Sequence, residues 1–170
     1  RPLPRPSATL DDRALSDGYV RSGVLARNSR LRRIVDVIVA ALGLAVLWPL
    51  LAIVALTVAA ILGRPVLFRQ QRVGLTGQLF TLIKFRTMTD ARDAEGKLLS
   101  DGERVTDFGR FMRRFRVDEL PELWNVLRGE MSLVGPRPLL PETIRDFGID
   151  GLARCSIRPG LTGWSQIRGG

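Results

Sequence analysis

The chain has 170 residues, of which 45% are hydrophobic and 25% charged, and it carries a formal net charge of +9. That length allows one domain with a real apolar core and little more, and the composition excludes a wholly disordered chain. There is no histidine, which removes the usual general base and the usual zinc ligand. Chemistry therefore has to run on Asp, Glu, Lys, Arg, hydroxyls or a hard metal ion. The single cysteine, Cys155, excludes an internal disulfide and reads as a small packing residue. A sequence pI near 11.3 points to an anionic partner: nucleic acid, anionic lipid or a phosphate-bearing substrate.

Residues 1–30, beginning "RPLPRPSATLDDR", are polar and Pro/Arg-rich without a sustained apolar period, which reads as a mobile tail. No apolar core of a signal peptide occurs before residue 34. Residues 31–63 follow as a membrane segment, with no charged side chain from Val37 to Gly63. As a helix that stretch is about 40 Å long, enough to span a hydrocarbon core of about 30 Å. Pro49 interrupts it and leaves arms of roughly 18–21 Å, each too short to span alone. Arg27, Arg30, Arg32 and Arg33 precede the segment, and Arg64, Arg69 and Arg72 follow it. The preference of basic flanks for the cytosol asks for both ends on one side, which a helix–break–helix that dips in and returns satisfies. A kinked crossing helix is the alternative, and both stand at this point. Asp36, one turn after Arg32 and Arg33, is expected to form a local ion pair.

Residues 64–170 read as a cytosolic α/β domain. "PVLFRQQRVGLTGQLFTLIKFRTM" holds two β-rich runs around a Gly-containing turn, a hairpin pattern. "VTDFGRFMRRFRV" places Phe108, Phe111, Met112 and Phe115 at helical spacing, which predicts a basic amphipathic helix lying on the membrane or the core. "ELPELWNVLRG" predicts a second short helix closed by Gly129. In "RVDELPE", Pro121 belongs in the first turn of that helix, so Asp118 is expected at or near its N-cap and Glu119 in its first turn. Ordinary cap chemistry would explain both carboxylates. A carboxylate at such a place also suits Mg²⁺, or serves as a nucleophile that forms an acyl phosphate. Lys84, Arg86, Arg113 and Arg137 are the candidate phosphate-binding groups, because phosphoryl transfer is driven mainly by positioning and charge neutralisation. Two adjacent side chains cannot flank a glycosidic bond from opposite faces, which argues against a glycosidase pair. "LVGPRPLLPE" presents Arg137 on a backbone stiffened by prolines, and "IRPGLTGWSQIRGG" is a loop around Trp164 that offers stacking or packing.

Taken together, "RRIVDVIVA", "GRPVLFRQQRVG", "KFRTM", "VDELPELWNVLRGEMSLVGPRPL" and "RPGLTGW" resemble the bacterial sugar transferase family, the monotopic phosphoglycosyl transferases. The resemblance covers about residues 30–170. It implies transfer of a sugar 1-phosphate from a UDP-sugar to a polyprenyl phosphate, assisted by Mg²⁺, at the cytosolic face of the bacterial inner membrane, at the start of surface-glycan synthesis. It further implies that Asp118 is nucleophile and metal ligand, that Glu119 assists proton handling, and that Arg113, Arg137 and Lys84 contact phosphates. The family's membrane segment is re-entrant, broken at a proline matching Pro49. Trp48 stands where small members often have Ser, Glu122 where Gln is common, and Arg116 where Ser or Thr is common. Family members usually continue for several tens of residues beyond "IRGG", so a C-terminal part of the domain is expected to lie past residue 170. A non-catalytic membrane module is the alternative. A nucleic-acid binder is disfavoured by the long uncharged stretch.

Overall fold

The computed structural model describes residues 30–163. The expected tail, apart from Arg30, and Trp164 lie outside the described residues. The chain opens with α1 (Arg30–Leu62), followed by the hairpin strands β1 (Leu67–Val73) and β2 (Leu79–Phe85). These pair antiparallel, Leu67 opposite Phe85 and Val73 opposite Leu79, as the two β-rich runs and the Gly-containing turn predict. Two short helices, α2 (Asp101–Arg104) and α3 (Asp107–Arg114), lead to a 3₁₀ turn at Val117–Glu119 and to α4 (Glu122–Arg128). Then come β3 (Ser132–Val134), α5 (Pro141–Asp146), α6 (Gly148–Arg154) and β4 (Gly160–Thr162). β3 and β4 form a parallel pair with Ser132 opposite Gly160. The expected α/β class is met in this coarse form: one long apolar helix, then a small domain of helices and two-stranded sheets.

α1 differs from expectation in one respect. It runs 33 residues without interruption, with Pro49 inside it, where the sequence predicts two helices and a break. A proline removes one backbone hydrogen bond and crowds the preceding turn, but packing holds both arms helical. Before the proline, Ala40, Leu44 and Leu47 seat on Phe80, Leu82, Leu123, Val126 and Met131. After it, Leu51, Val54, Ala55, Val58 and Leu62 seat on a second cluster with Phe85, Met112 and Val117. Pro49 falls at the junction of the two.

Polar contacts clamp both ends of α1 to the same domain. Arg33 donates to the carbonyl oxygens of Val126 and Leu127, the last turn of α4, where helix carbonyls lack partners. Arg32 donates to the Val134 carbonyl. Asp36 is buried and accepts from Ser132 Oγ at 2.7 Å and from the Leu133 amide at 3.0 Å. The expected local ion pair with Arg32 and Arg33 is not what satisfies it. A buried carboxylate gains more from directed donors of the domain, and the two arginines are drawn to backbone carbonyls instead. At the other end, Arg86 donates to the carbonyls of Leu62 and Arg64. Large apolar side chains on the outward face of α1 stay exposed, among them Leu31, Ile38, Leu42, Val46, Ile53 and Leu56.

The amphipathic helix α3 divides its apolar residues. Met112 is fully buried and Phe108 packs beside it, whereas Phe111 and Phe115 face outward, their rings tilted by 51° with centroids 4.9 Å apart.

Candidate active site

The site is assembled at the foot of α3. Thr106 caps that helix by accepting from the Gly109 amide at 3.0 Å. Gly109 lies so close to the Thr87 carbonyl that a Cβ there would sit 2.1 Å from its oxygen. This approach brings Arg113 Nε to 3.0 Å from Thr87 Oγ1, beside the end of β2. The chain then reverses at Arg116, whose backbone is left-handed (φ 54°, ψ 25°), a conformation that costs a non-glycine residue about 1 kcal/mol or more. The reversal sets Asp118 inward, 5% exposed, and leaves Glu119 paired with Arg116 at 3.1 Å. Asp118 therefore lies near the start of α4, as the proline suggests, but is not the cap itself. Pro121 takes the cap position with helical dihedrals, and the carboxylates ride on the 3₁₀ turn before it.

Asn125, fully buried, fixes α4 against β2. Its side-chain amide donates to Thr81 O and Glu130 Oε2, both at 2.7 Å, and its carbonyl accepts from the Ile83 amide at 3.2 Å. Lys84, next along β2, is thereby held opposite the acid turn, its ammonium 5.6 Å from the centre of the Phe68 ring.

Charge is crowded here. Burial pushes the Asp118 carboxyl up, the neighbouring Glu119 adds to this, and Lys84 and Arg113 oppose it. Glu122 is affected more: burial, then Glu119, raise it to about 8, with Asp118 adding to the rise while Lys84 and Arg137 pull the other way. Arg72 is lowered by burial and by Arg137, and Glu122 opposes that. Its guanidinium donates to the Pro138 carbonyl at 3.3 Å and to Gln70 Oε1 at 2.7 Å. The Arg137 loop is pinned on both sides, by Gly160 N to Pro136 O at 2.9 Å and Val73 N to Leu139 O at 3.1 Å. Carboxylates crowded together and shielded from water are a favourable donor set for a hard cation. Among the described residues no three acidic or cysteine side chains form a dedicated cage. Mg²⁺ does not need one, since it binds through one or two carboxylates plus substrate phosphate and water. Asp118 with Glu119 fits that requirement.

Residues 27–170 match the family model described as bacterial sugar transferase. The chain belongs to that family. It is 50% identical over 120 residues to an uncharacterized sugar transferase, EpsL, of Bacillus subtilis, which covers 69% of this chain and 59% of that protein. It is 45% identical over 146 residues to the UDP-glucose:undecaprenyl-phosphate glucose-1-phosphate transferase of Caulobacter vibrioides (81% of this chain, 54% of that protein). It is 35% identical over 142 residues to the UDP-N-acetylgalactosamine-undecaprenyl-phosphate N-acetylgalactosaminephosphotransferase of Aeromonas hydrophila (81% and 34%). The chain thus spans between about a third and three fifths of the length of these relatives.

In this member of the family, Asp118, Glu119, Lys84, Arg113 and Arg137 share one electrostatic neighbourhood. Arg86 stands apart from it. Besides its bonds to the end of α1, it donates to Met88 O at 3.0 Å and pairs with Asp90 at 2.5 Å. It nevertheless lines a cleft of about 350 Å³ together with Lys84, Thr87, Arg104 and Arg113. Three residues of the site receive no site role from the sequence. Glu122 carried a signal, its place four residues after Asp118 and so on the same helical face. Arg72 and Asn125 carried none, because a strand arginine and a helix asparagine look alike whether exposed or buried.

Proposed function

We propose that this sugar transferase moves a sugar 1-phosphate from a UDP-sugar to a polyprenyl phosphate and so starts assembly of an exopolysaccharide or other surface glycan. The observation that carries this reading is the buried Asp118 on its 3₁₀ turn, faced by Lys84 and Arg113 and backed by Glu119. The Asp118 carboxylate attacks the β-phosphorus of the donor. The bond from that phosphorus to the bridging oxygen breaks, UMP leaves with the electron pair, and a phosphosugar remains on the carboxylate. An oxygen of the polyprenyl phosphate then attacks the same phosphorus, breaking the acyl-phosphate bond and restoring Asp118. Lys84, Arg113 and Arg137 neutralise the phosphate oxygens, and Arg116 orients Glu119 for proton handling. Mg²⁺ held by Asp118 and Glu119 would keep the crowded carboxylates ionised and add Lewis-acid stabilisation at the phosphates. Glucose and N-acetylgalactosamine, named for the relatives, are the first sugars to try.

The membrane segment is re-entrant in this reading, entering and leaving by the cytosolic face of the inner membrane. Support comes from the clamps at both ends of α1: one small domain holds Arg33 and Asp36 as well as Leu62. A crossing helix would put those two ends on opposite sides of the bilayer, where one small domain could not hold both. The outward apolar stripe of α1 and the exposed pair Phe111 and Phe115 supply surface for lipid.

UMP release tests the activity, measured over a panel of UDP-sugars with undecaprenyl phosphate and Mg²⁺ in nanodiscs. Release that depends on the acceptor and disappears in Asp118→Asn is the expected result. Unchanged release in that variant would remove Asp118 from the reaction.

A further inference from the structure

Between the C-terminal half of α1 and the start of β1 lies an open groove of about 1040 Å³. One wall is apolar and built low by small residues: Ala55 and Ala59 form it beside Leu56, which is 72% exposed on the outward stripe of the helix. The other end is basic, with Arg64, Arg69 and Arg86. Phe68, Arg86 and Asp90 line this groove and also the cleft that contains Lys84 and Arg113. The two spaces therefore share a wall, and the way from the groove to Lys84 and Arg113 passes over Phe68, 40% exposed.

We infer that this groove seats the polyprenyl phosphate, its first isoprene units against Ala55, Ala59 and Phe68 and its phosphate drawn by Arg64 and Arg69 toward Lys84 and Arg113. The inference rests on the transfer reaction proposed above and adds the acceptor's binding surface. A ligand reaching from the groove into the cleft needs a single slender apolar chain and a compact anionic head. The isoprenoid phosphate has both, and its terminal phosphate ends in free oxygens. A glycerophospholipid shares the charge, but it brings two acyl chains and a phosphate blocked on both sides.

The test uses the full-length protein in nanodiscs and a photoreactive polyprenyl phosphate, with the labelled peptide identified by mass spectrometry. Labelling within residues 55–69 is expected, competed by undecaprenyl phosphate and not by phosphatidylglycerol. Ala59→Phe, which fills the groove, is expected to cut labelling and to raise the KM for undecaprenyl phosphate by about tenfold or more, the loss of about 1.4 kcal/mol of binding. Arg69→Gln, a surface change that leaves the core untouched, is expected to weaken labelling several-fold. Label placed elsewhere, equal competition by phosphatidylglycerol, or an equal effect of Val46→Phe on the far part of α1 would overturn the proposal. Exchange of labelled UMP into UDP-sugar without acceptor reads the reaction separately. Groove labelling without exchange would sink the transfer reading and leave the groove; exchange without groove labelling would do the reverse.

Discussion

Replacing Glu122 by glutamine removes a buried acid at nearly constant volume, and its effect should grow with pH. The Glu122 carboxyl titrates near 8 against an ordinary value of 4.5, chiefly because it is buried and secondarily because Glu119 is close. A raised value means that the folded chain holds a proton the unfolded chain releases. Stability contributed by the protonated form is fully present below pH 4.5, declines as pH climbs, and is gone above about 8. Each pH unit in that window is worth about 1.4 kcal/mol, so the whole span costs the native chain about 5 kcal/mol. For a chain of this size 1 kcal/mol moves Tm by about 2–4 °C, which makes the expected divergence roughly 10–20 °C. Thermal unfolding in detergent, followed by circular dichroism from pH 4.5 to 9, compares the protein with Glu122→Gln. Asp118 titrates in both, so most of its own effect cancels. The two Tm curves should coincide at the acid end and separate through pH 8, with the glutamine variant higher. Parallel curves across the whole range would refute the reasoning.

The clamp at the start of α1 is testable through Asp36→Ala, which strands the Ser132 hydroxyl and the Leu133 amide and should cost about 2–4 kcal/mol in chemical unfolding; a cost within measurement error would show that the clamp is idle. Gly109→Ala forces α3 off the Thr87 carbonyl, with an expected penalty of about 1–3 kcal/mol and a fall in turnover as Arg113 loses its place, and wild-type turnover would count against the close approach as a determinant of the site. In a Cys155→Ser background, cysteines at Arg30 and Val66 should react with an impermeant reagent from the cytosolic side only, whereas labelling from opposite sides would establish a crossing helix.

The hairpin and the helix closed by Gly129 are legible in the sequence because β-rich runs, a Gly-containing turn and a C-terminal glycine are local signals. The acid pair was legible too, through its family motif, but its local structure was not. Pro121 implied a cap at Asp118, whereas the decisive event is the left-handed backbone at Arg116, and nothing in an arginine announces a positive φ. Asp36 misled for a similar reason. Its neighbours at one helical turn are arginines, yet its partners lie 96 and 97 residues away. Pro49 suggests a break because a proline weakens any helix considered alone, and only the two clusters beneath the arms explain why this one continues. The parallel pair β3–β4 spans three residues per strand, too few for any periodicity to register. Glu122 and Arg72 acquire their chemistry from burial among other charges, which is a property of the fold.

The most direct test of the account is the mass of the protein after incubation with UDP-sugar and Mg²⁺ in the absence of any polyprenyl phosphate. A gain of one sugar phosphate, mapped to the peptide containing Asp118 and matched by an equal amount of released UMP, is the predicted result. Turnover that requires the acceptor from the outset, with no adduct on Asp118 at any time, would contradict it and favour direct transfer between donor and lipid.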